Sequence, residues 1–106
     1  MRNFRLDDES GHQEALFSWA GYQLGRMPEL EYMYHVPNGG KRDAATATAL
    51  KRQGVKAGVP DIHLPVARGE YHGLYIELKA GKNTTTAKQK GWLRFLRQQG
   101  YFTAVC

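Results

Sequence analysis

One cysteine, Cys106, stands in the 106 residues, which excludes an internal disulfide and any zinc-ribbon spacing. No apolar run approaches the roughly 20 residues of a membrane span. The first nine residues lack the apolar core of a signal peptide. These absences point to an intracellular protein that does not cross a membrane, and they leave the sequon Asn83-Thr84-Thr85 without a glycosylation role. Repeats, low-complexity tracts and linkers are also missing, and the length suits a single domain over residues 1–106 with one hydrophobic core. Acid is scarce in the second half. Beyond Asp43 only Asp61, Glu70 and Glu77 remain, against ten basic residues from Lys51 to Arg97, within a net charge of +5. Such asymmetry suits a polyanionic partner, most often nucleic acid. A solvated basic face is the plainer alternative, and charge alone does not separate the two.

What is present reads as the order α-β-α-β-β-α-β. Residues 8–26 carry Leu16, Trp19, Ala20, Gln23, Leu24 and Met27 at helical spacing, with Pro28 as the stop. Glu31 to Val36 is rich in strand formers and ends at the turn signal Pro37-Asn38-Gly39-Gly40. A second helix runs from Asp43, its cap, to Gln53, before Gly54. The strands Asp61–Val66 and Leu74–Lys79 are too close for a parallel crossover and form an antiparallel hairpin. Thr84-Thr85-Thr86 opens a third helix that reaches about Gln99, with Trp92, Leu93, Phe95 and Leu96 facing inward. Gly100 closes it, and Tyr101 to Val105 is a last strand. Trp19 and Trp92 sit at core spacing and are expected to pack.

The hairpin raises a question of charge. Acids and lysines are poor strand residues, yet Asp61, Glu77 and Lys79 occur within the two strands. Side chains two apart share a face, so Asp61, His63 and Pro65 point one way, as do Tyr75, Glu77 and Lys79. A turn centred near Gly69 sets Asp61 opposite Glu77 and His63 opposite Tyr75. Two carboxylates so paired sit about 5 Å apart at Cβ and repel. Lys79 can compensate them, as a partly solvated ion-pair cluster. So can a divalent cation, for which Mg²⁺ or Mn²⁺ suits hard oxygen ligands on rigid strands. A metal with a nearby lysine is equipment for phosphodiester hydrolysis.

Pro60-Asp61 followed by Glu77-Leu78-Lys79 resembles the PD-(D/E)xK motif of restriction-endonuclease-like nucleases. Gln53-Gly54-Val55-Lys56-Ala57-Gly58-Val59-Pro60-Asp61, the Ile76-Glu77-Leu78-Lys79 tetrad, Gln89-Lys90-Gly91-Trp92 and the loop from Pro37 to Arg42 resemble the virus-type replication-repair nuclease (VRR-NUC) branch. The resemblance spans nearly the whole chain from His12-Gln13-Glu14. It implies an α/β restriction-endonuclease-like core, a mixed four-stranded sheet flanked by helices. It also implies a Mg²⁺- or Mn²⁺-dependent endodeoxyribonuclease, structure-selective on branched DNA such as Holliday junctions, acting as a homodimer in a bacterial or host cell, with a phage origin in keeping. Asp61, Glu77 and the Leu78 backbone carbonyl would bind metal, and Lys79 would be the catalytic lysine. Glu14 would stand at the edge of the site and Gln89 would support it from the third helix. Asn38, Lys41, Arg42, Lys51, Arg52 and Lys56 would contact DNA. Relatives continue past the last strand into another helix where this sequence ends at Cys106, which leaves open whether another chain covers that face.

Several of these residues also have plainer readings. Thr86-Ala87-Lys88-Gln89 fits a capping box, and Glu14 fits an exposed helix acid. Some of the basic residues near the site are ordinary surface charges on the plainer reading. His63 shares the acidic face, but His12, His35 and His72 are scattered without His-x-x-x-His spacing, so a zinc hydrolase is disfavoured and His63 is expected to pack. Gly39-Gly40-Lys41-Arg42 lacks the rest of a P-loop. The competing class is a non-catalytic nucleic-acid-binding module whose acidic cluster is structural.

Overall fold

The computed structural model describes residues 9–38 and 43–106. Among them, α1 (Glu9–Gln23) is followed by a 3₁₀ turn (Pro28–Tyr32), β1 (Tyr34–His35) and α2 (Ala44–Arg52). The hairpin β2 (Ile62–Leu64) and β3 (Leu74–Glu77) comes next, then α3 (Ala87–Gln98) and β4 (Phe102–Val105). This is the expected α/β order. The four strands form one mixed sheet in the order β1-β2-β3-β4, antiparallel except for the parallel pair β3 and β4. A parallel pair needs a long crossover, and α3 supplies it.

The hairpin strands are shorter than the expected Asp61–Val66 and Leu74–Lys79, with Pro60 and Pro65 unable to donate at either end of β2, and α1 and β1 are also cut short for local reasons. α1 stops at Gln23 and not near residue 26, closing through bonds from the Arg26 and Met27 N–H groups to the Gln23 carbonyl. Gly21 and Gly25 weaken helix propagation here. Pro28 then sits where a missing N–H is tolerated and opens the 3₁₀ turn. That turn claims Glu31 and Tyr32, so β1 keeps only Tyr34 and His35, and it carries Leu30 into the core. α2 begins as expected, with Asp43 accepting from the Thr46 N–H at 2.8 Å.

The hairpin register is the one that places the acids together. Ile62 pairs with Ile76, His63 with Tyr75 and Leu64 with Leu74. Its turn closes through Arg68 and Tyr71 across Gly69 and Glu70, with Gly69 at φ +58°. Apolar side chains on one face of β2 and β3 build the main core. Ile62 and Leu78 are buried with Ala20, Leu30 and Met33, and Leu16, Phe17, Leu24, Leu64 and Ile76 pack around them. The opposite face carries the acids and meets α3 at Gln89, and Leu93 and Leu96 of that helix are buried.

Two aromatic expectations fail. Trp19 is 48% exposed and Phe95 is 52% exposed. On α3 the buried ridge is Leu93 and Leu96. Phe95 lies on the flank of that ridge, because residues one apart are about 100° apart around the axis. Spacing of four aromatic or aliphatic residues within five positions does not fit a single helix face.

The loop between α2 and β2 touches the start of α3 at Gly58, where φ is +92° and an added Cβ would lie 2.9 Å from Lys88 Cβ. Gly54 has a similar φ of +101° but faces open space. Gly54→Ala is therefore expected to cost about 1–2 kcal/mol from backbone strain. Gly58→Ala should cost about 1–3 kcal/mol more, because the methyl must also displace α3. Urea denaturation checks this, and equal losses at the two positions would contradict the close approach.

Candidate active site

The β2–β3 ladder ends where the acids begin. Pro60, buried and lacking an N–H, cannot extend the ladder as a donor. The Leu78 N–H instead donates to Asp61 Oδ2 at 2.8 Å. Asp61 Oδ1 accepts from the Asn38 side-chain amide, also at 2.8 Å, and the same amide nitrogen donates to the Val59 carbonyl. His35 Nδ1 donates to the Asp61 carbonyl at 2.9 Å, and the Val36 N–H donates there as well. Asp61 is thus oriented from both neighbouring strands, and it is only 8% exposed.

Glu77 is buried more deeply, at 1% exposed. Its Oε2 accepts from Gln89 Nε2 at 3.2 Å and lies 3.7 Å from Lys79 Nζ. Its Oε1 is buried with no hydrogen-bond partner. Lys79 Nζ donates to Gln89 Oε1 at 2.8 Å. That oxygen also accepts from the Thr86 N–H, while Thr86 Oγ1 accepts from the Gln89 N–H, so the capping box forms as well. The two readings of Gln89 are one arrangement. The cap fixes the side chain whose amide then spans Lys79 and Glu77.

Burial is the main cause that pushes the Glu77 carboxyl up to about 8 from the usual 4.5. The adjacent Asp61 pushes the same way through its charge and through hydrogen bonding, Lys79 opposes, and Glu9 adds a smaller upward push. The carboxylate pair therefore lacks positive charge even with Lys79 beside it.

The other expected residues fall in different places. Glu14 is half-buried on α1. Glu9, on the same helix, is the α1 acid whose charge reaches Glu77. Asn38, expected as a DNA contact, is engaged with Asp61. Turn chemistry marked its loop in the sequence, but nothing local indicated its partner. Lys51 and Lys56 line a groove between α2 and α3, and Arg52 is exposed at the end of α2. Lys41 and Arg42 lie outside the described residues. His63 packs as expected. Its ring stacks on Tyr75 at 4.2 Å, its Nδ1 is hydrogen-bonded to Tyr34 Oη, and burial lowers its pKa.

No group of three or more His, Cys, Asp or Glu side chains arranged to hold an ion occurs among the described residues. The donor set is two carboxylates, one with an unpartnered buried oxygen, and the backbone after Glu77. That set fits a hard cation such as Mg²⁺, which keeps several waters and takes only one or two carboxylates.

Acid pair on adjacent strands, lysine two residues on, helix glutamine above: this is the pattern of the PD-(D/E)xK nuclease class. A family model for the VRR-NUC domain matches residues 7–106, and the chain belongs to the VRR-NUC family. A solved structure described as a VRR_NUC domain protein is similar with a TM-score of 0.75 and 32% sequence identity, covering 100% of this chain and 80% of that one. Comparison with curated proteins gave no match.

The raised Glu77 pKa has a sign that can be measured. Between pH 4.5 and about 8 the folded chain keeps a proton on Glu77 that the unfolded chain has lost. Its stabilisation is full below the unfolded value and disappears as pH rises through the folded one. In chelator, the melting temperature of the parent should fall relative to that of Glu77→Gln across this window. Parallel profiles would contradict the assignment.

Proposed function

We propose that this VRR-NUC domain is an endonuclease that hydrolyses DNA phosphodiester bonds with Mg²⁺ or Mn²⁺, selecting branched structures such as Holliday junctions as a homodimer. The observation that carries the reading is the buried Asp61–Glu77 pair with an unpartnered Glu77 oxygen beside Lys79. Asp61, Glu77 and the Leu78 carbonyl would hold the cation, which when bound polarises a phosphoryl oxygen and offsets charge developing on it. Lys79, fixed by Gln89, orients the attacking water and contributes positive charge next to the scissile phosphate. Asn38 and the Leu78 N–H hold one Asp61 oxygen each and so keep the carboxylate aimed. Glu14 and Glu9 add acidic groups from α1. Exposed cations such as Arg52 supply phosphate contacts, which set affinity and salt dependence without reading sequence.

The branched-substrate reading is supported by the reach of a dimer, since two sites would reach two strands where one site does not. The domain is small, and β4 is an edge strand with Phe102 and Val105 exposed, so it has open surface for a second copy.

Branched, flapped and plain duplex DNA, incubated with and without Mg²⁺ or Mn²⁺, test the proposal. Metal-dependent cleavage strongest on the branched substrate is expected. Asp61→Asn and Lys79→Ala should each lower the cleavage rate by about two orders of magnitude or more while leaving DNA binding largely intact. Undiminished cleavage by either variant would remove the assigned role, and binding without cleavage by the parent would make the domain a binding module. A monomeric mass under conditions of full activity would overturn the dimer.

A further inference from the structure

α3 presents two working faces. Gln89, Leu93 and Leu96 turn toward the sheet, while Lys88, Trp92 and Phe95, spaced by four and three residues, share the side toward α2. α2 has no buried residue. Between the two helices lies a groove of about 830 Å³, with Leu50 and Val55 on one wall and Trp92 and Phe95 on the other. Lys51, Lys56 and Lys88 rim it, and no acidic side chain is among the described residues that line it.

The groove is built on the same two segments that carry the candidate active site. Its lining includes Lys56 and Ala57, from which the chain passes through Gly58 to Asp61, and Lys88, the neighbour of Gln89. These two segments touch where Gly58 meets Lys88. The groove and the candidate site thus lie on either side of the Gly58–Lys88 contact, on segments they share.

We propose that this groove binds an unpaired nucleic-acid strand, its bases stacked on Trp92 and Phe95 and its phosphates held by Lys51, Lys56 and Lys88. Aromatic faces accept any base, and lysines follow a backbone without reading it, which is the chemistry of sequence-tolerant single-strand binding. A second copy of this chain is a poorer occupant, because a chain of net charge +5 would bring further positive charge to a lysine-rimmed groove. The inference rests on the nuclease reading for its substrate class and deepens it. Branched DNA exposes unpaired bases at the junction, and a groove that captures them sets the adjacent phosphodiester at Asp61 and Glu77 whatever the sequence.

Trp92 reports on the groove directly once the other tryptophan, the half-exposed Trp19, is replaced. Trp19→Phe protein in chelator is titrated with a twelve-residue oligothymidylate and, separately, with a blunt duplex of the same length. Saturable quenching of Trp92 by the single strand, and much less by the duplex, is expected. Phe95→Ala should weaken the single-strand affinity about tenfold, while Phe95→Tyr, which keeps a stacking ring, should bind like the parent. Lys51→Ala with Lys56→Ala should flatten the salt dependence of that affinity. Absence of quenching, or quenching indifferent to Phe95→Ala, would overturn the proposal. So would a drop in sedimentation mass for Phe95→Ala, which would assign the groove to self-association. Quenching without cleavage of any DNA in Mg²⁺ or Mn²⁺ would leave the groove standing and remove the nuclease reading; metal-dependent cleavage without quenching would do the reverse.

Discussion

A carboxylate with almost no solvent access, next to a second one, is the constraint on which the site depends. Burying a charge is costly unless it is paired, hydrogen-bonded or bound to metal, and Glu77 is only partly compensated. Gln89 donates to one of its oxygens, Lys79 stands 3.7 Å from that same oxygen, and the other oxygen has no partner. Asp61 is better provided for, with the Leu78 N–H and the Asn38 amide on its two oxygens. The pair is therefore asymmetric. One carboxylate has a donor on each oxygen, and the other is pushed toward its neutral form by burial and by its neighbour. A group that a cation would satisfy, in a place otherwise unfavourable for stability, is the physical mark of a site kept for function.

Several parts of the fold exist in the form they do because of that pair. Pro60 ends the β2–β3 ladder as a donor, and Asp61 then takes up a backbone N–H of β3 with its side chain. β1 is only two residues long, yet through His35, Val36 and Asn38 the chain around it anchors the backbone and side chain of Asp61. Gln89 couples the stability of α3 to the chemistry, because one side chain completes the helix cap and bridges Lys79 to Glu77. Losing it removes a cap and leaves Lys79 and Glu77 without their common partner.

Much of this was legible in the sequence, and for a physical reason. The two-residue period of a strand and the short hairpin turn leave little freedom in which residues meet, so Asp61, Glu77 and Lys79 could be assigned to one face before the register was seen. The family motif added Gln89, and the capping pattern gave it a local role that turned out compatible. The bond from Asn38 to Asp61 was not legible, because its partner lies 23 positions away and a turn residue carries no local sign of what its side chain will reach. The bounds of α1 and β1 moved because glycine and the proline-opened 3₁₀ turn outweighed hydrophobic spacing. Phe95 and Trp19 were assigned inward on apolar character, although helix geometry turns Phe95 away from Leu93 and Leu96. An exposed aromatic flank on α3 becomes meaningful only once α2 is known to stand opposite with nothing buried.

Cation binding by the Asp61–Glu77 pair is the central claim. Crystals grown or soaked in Mn²⁺ and recorded for anomalous scattering test that most directly. A manganese peak within coordination distance of Glu77 Oε1 and an Asp61 oxygen, about 2.0–2.3 Å away, is the predicted result. Manganese ordered elsewhere on the protein, with neither carboxylate in its coordination shell, would contradict it.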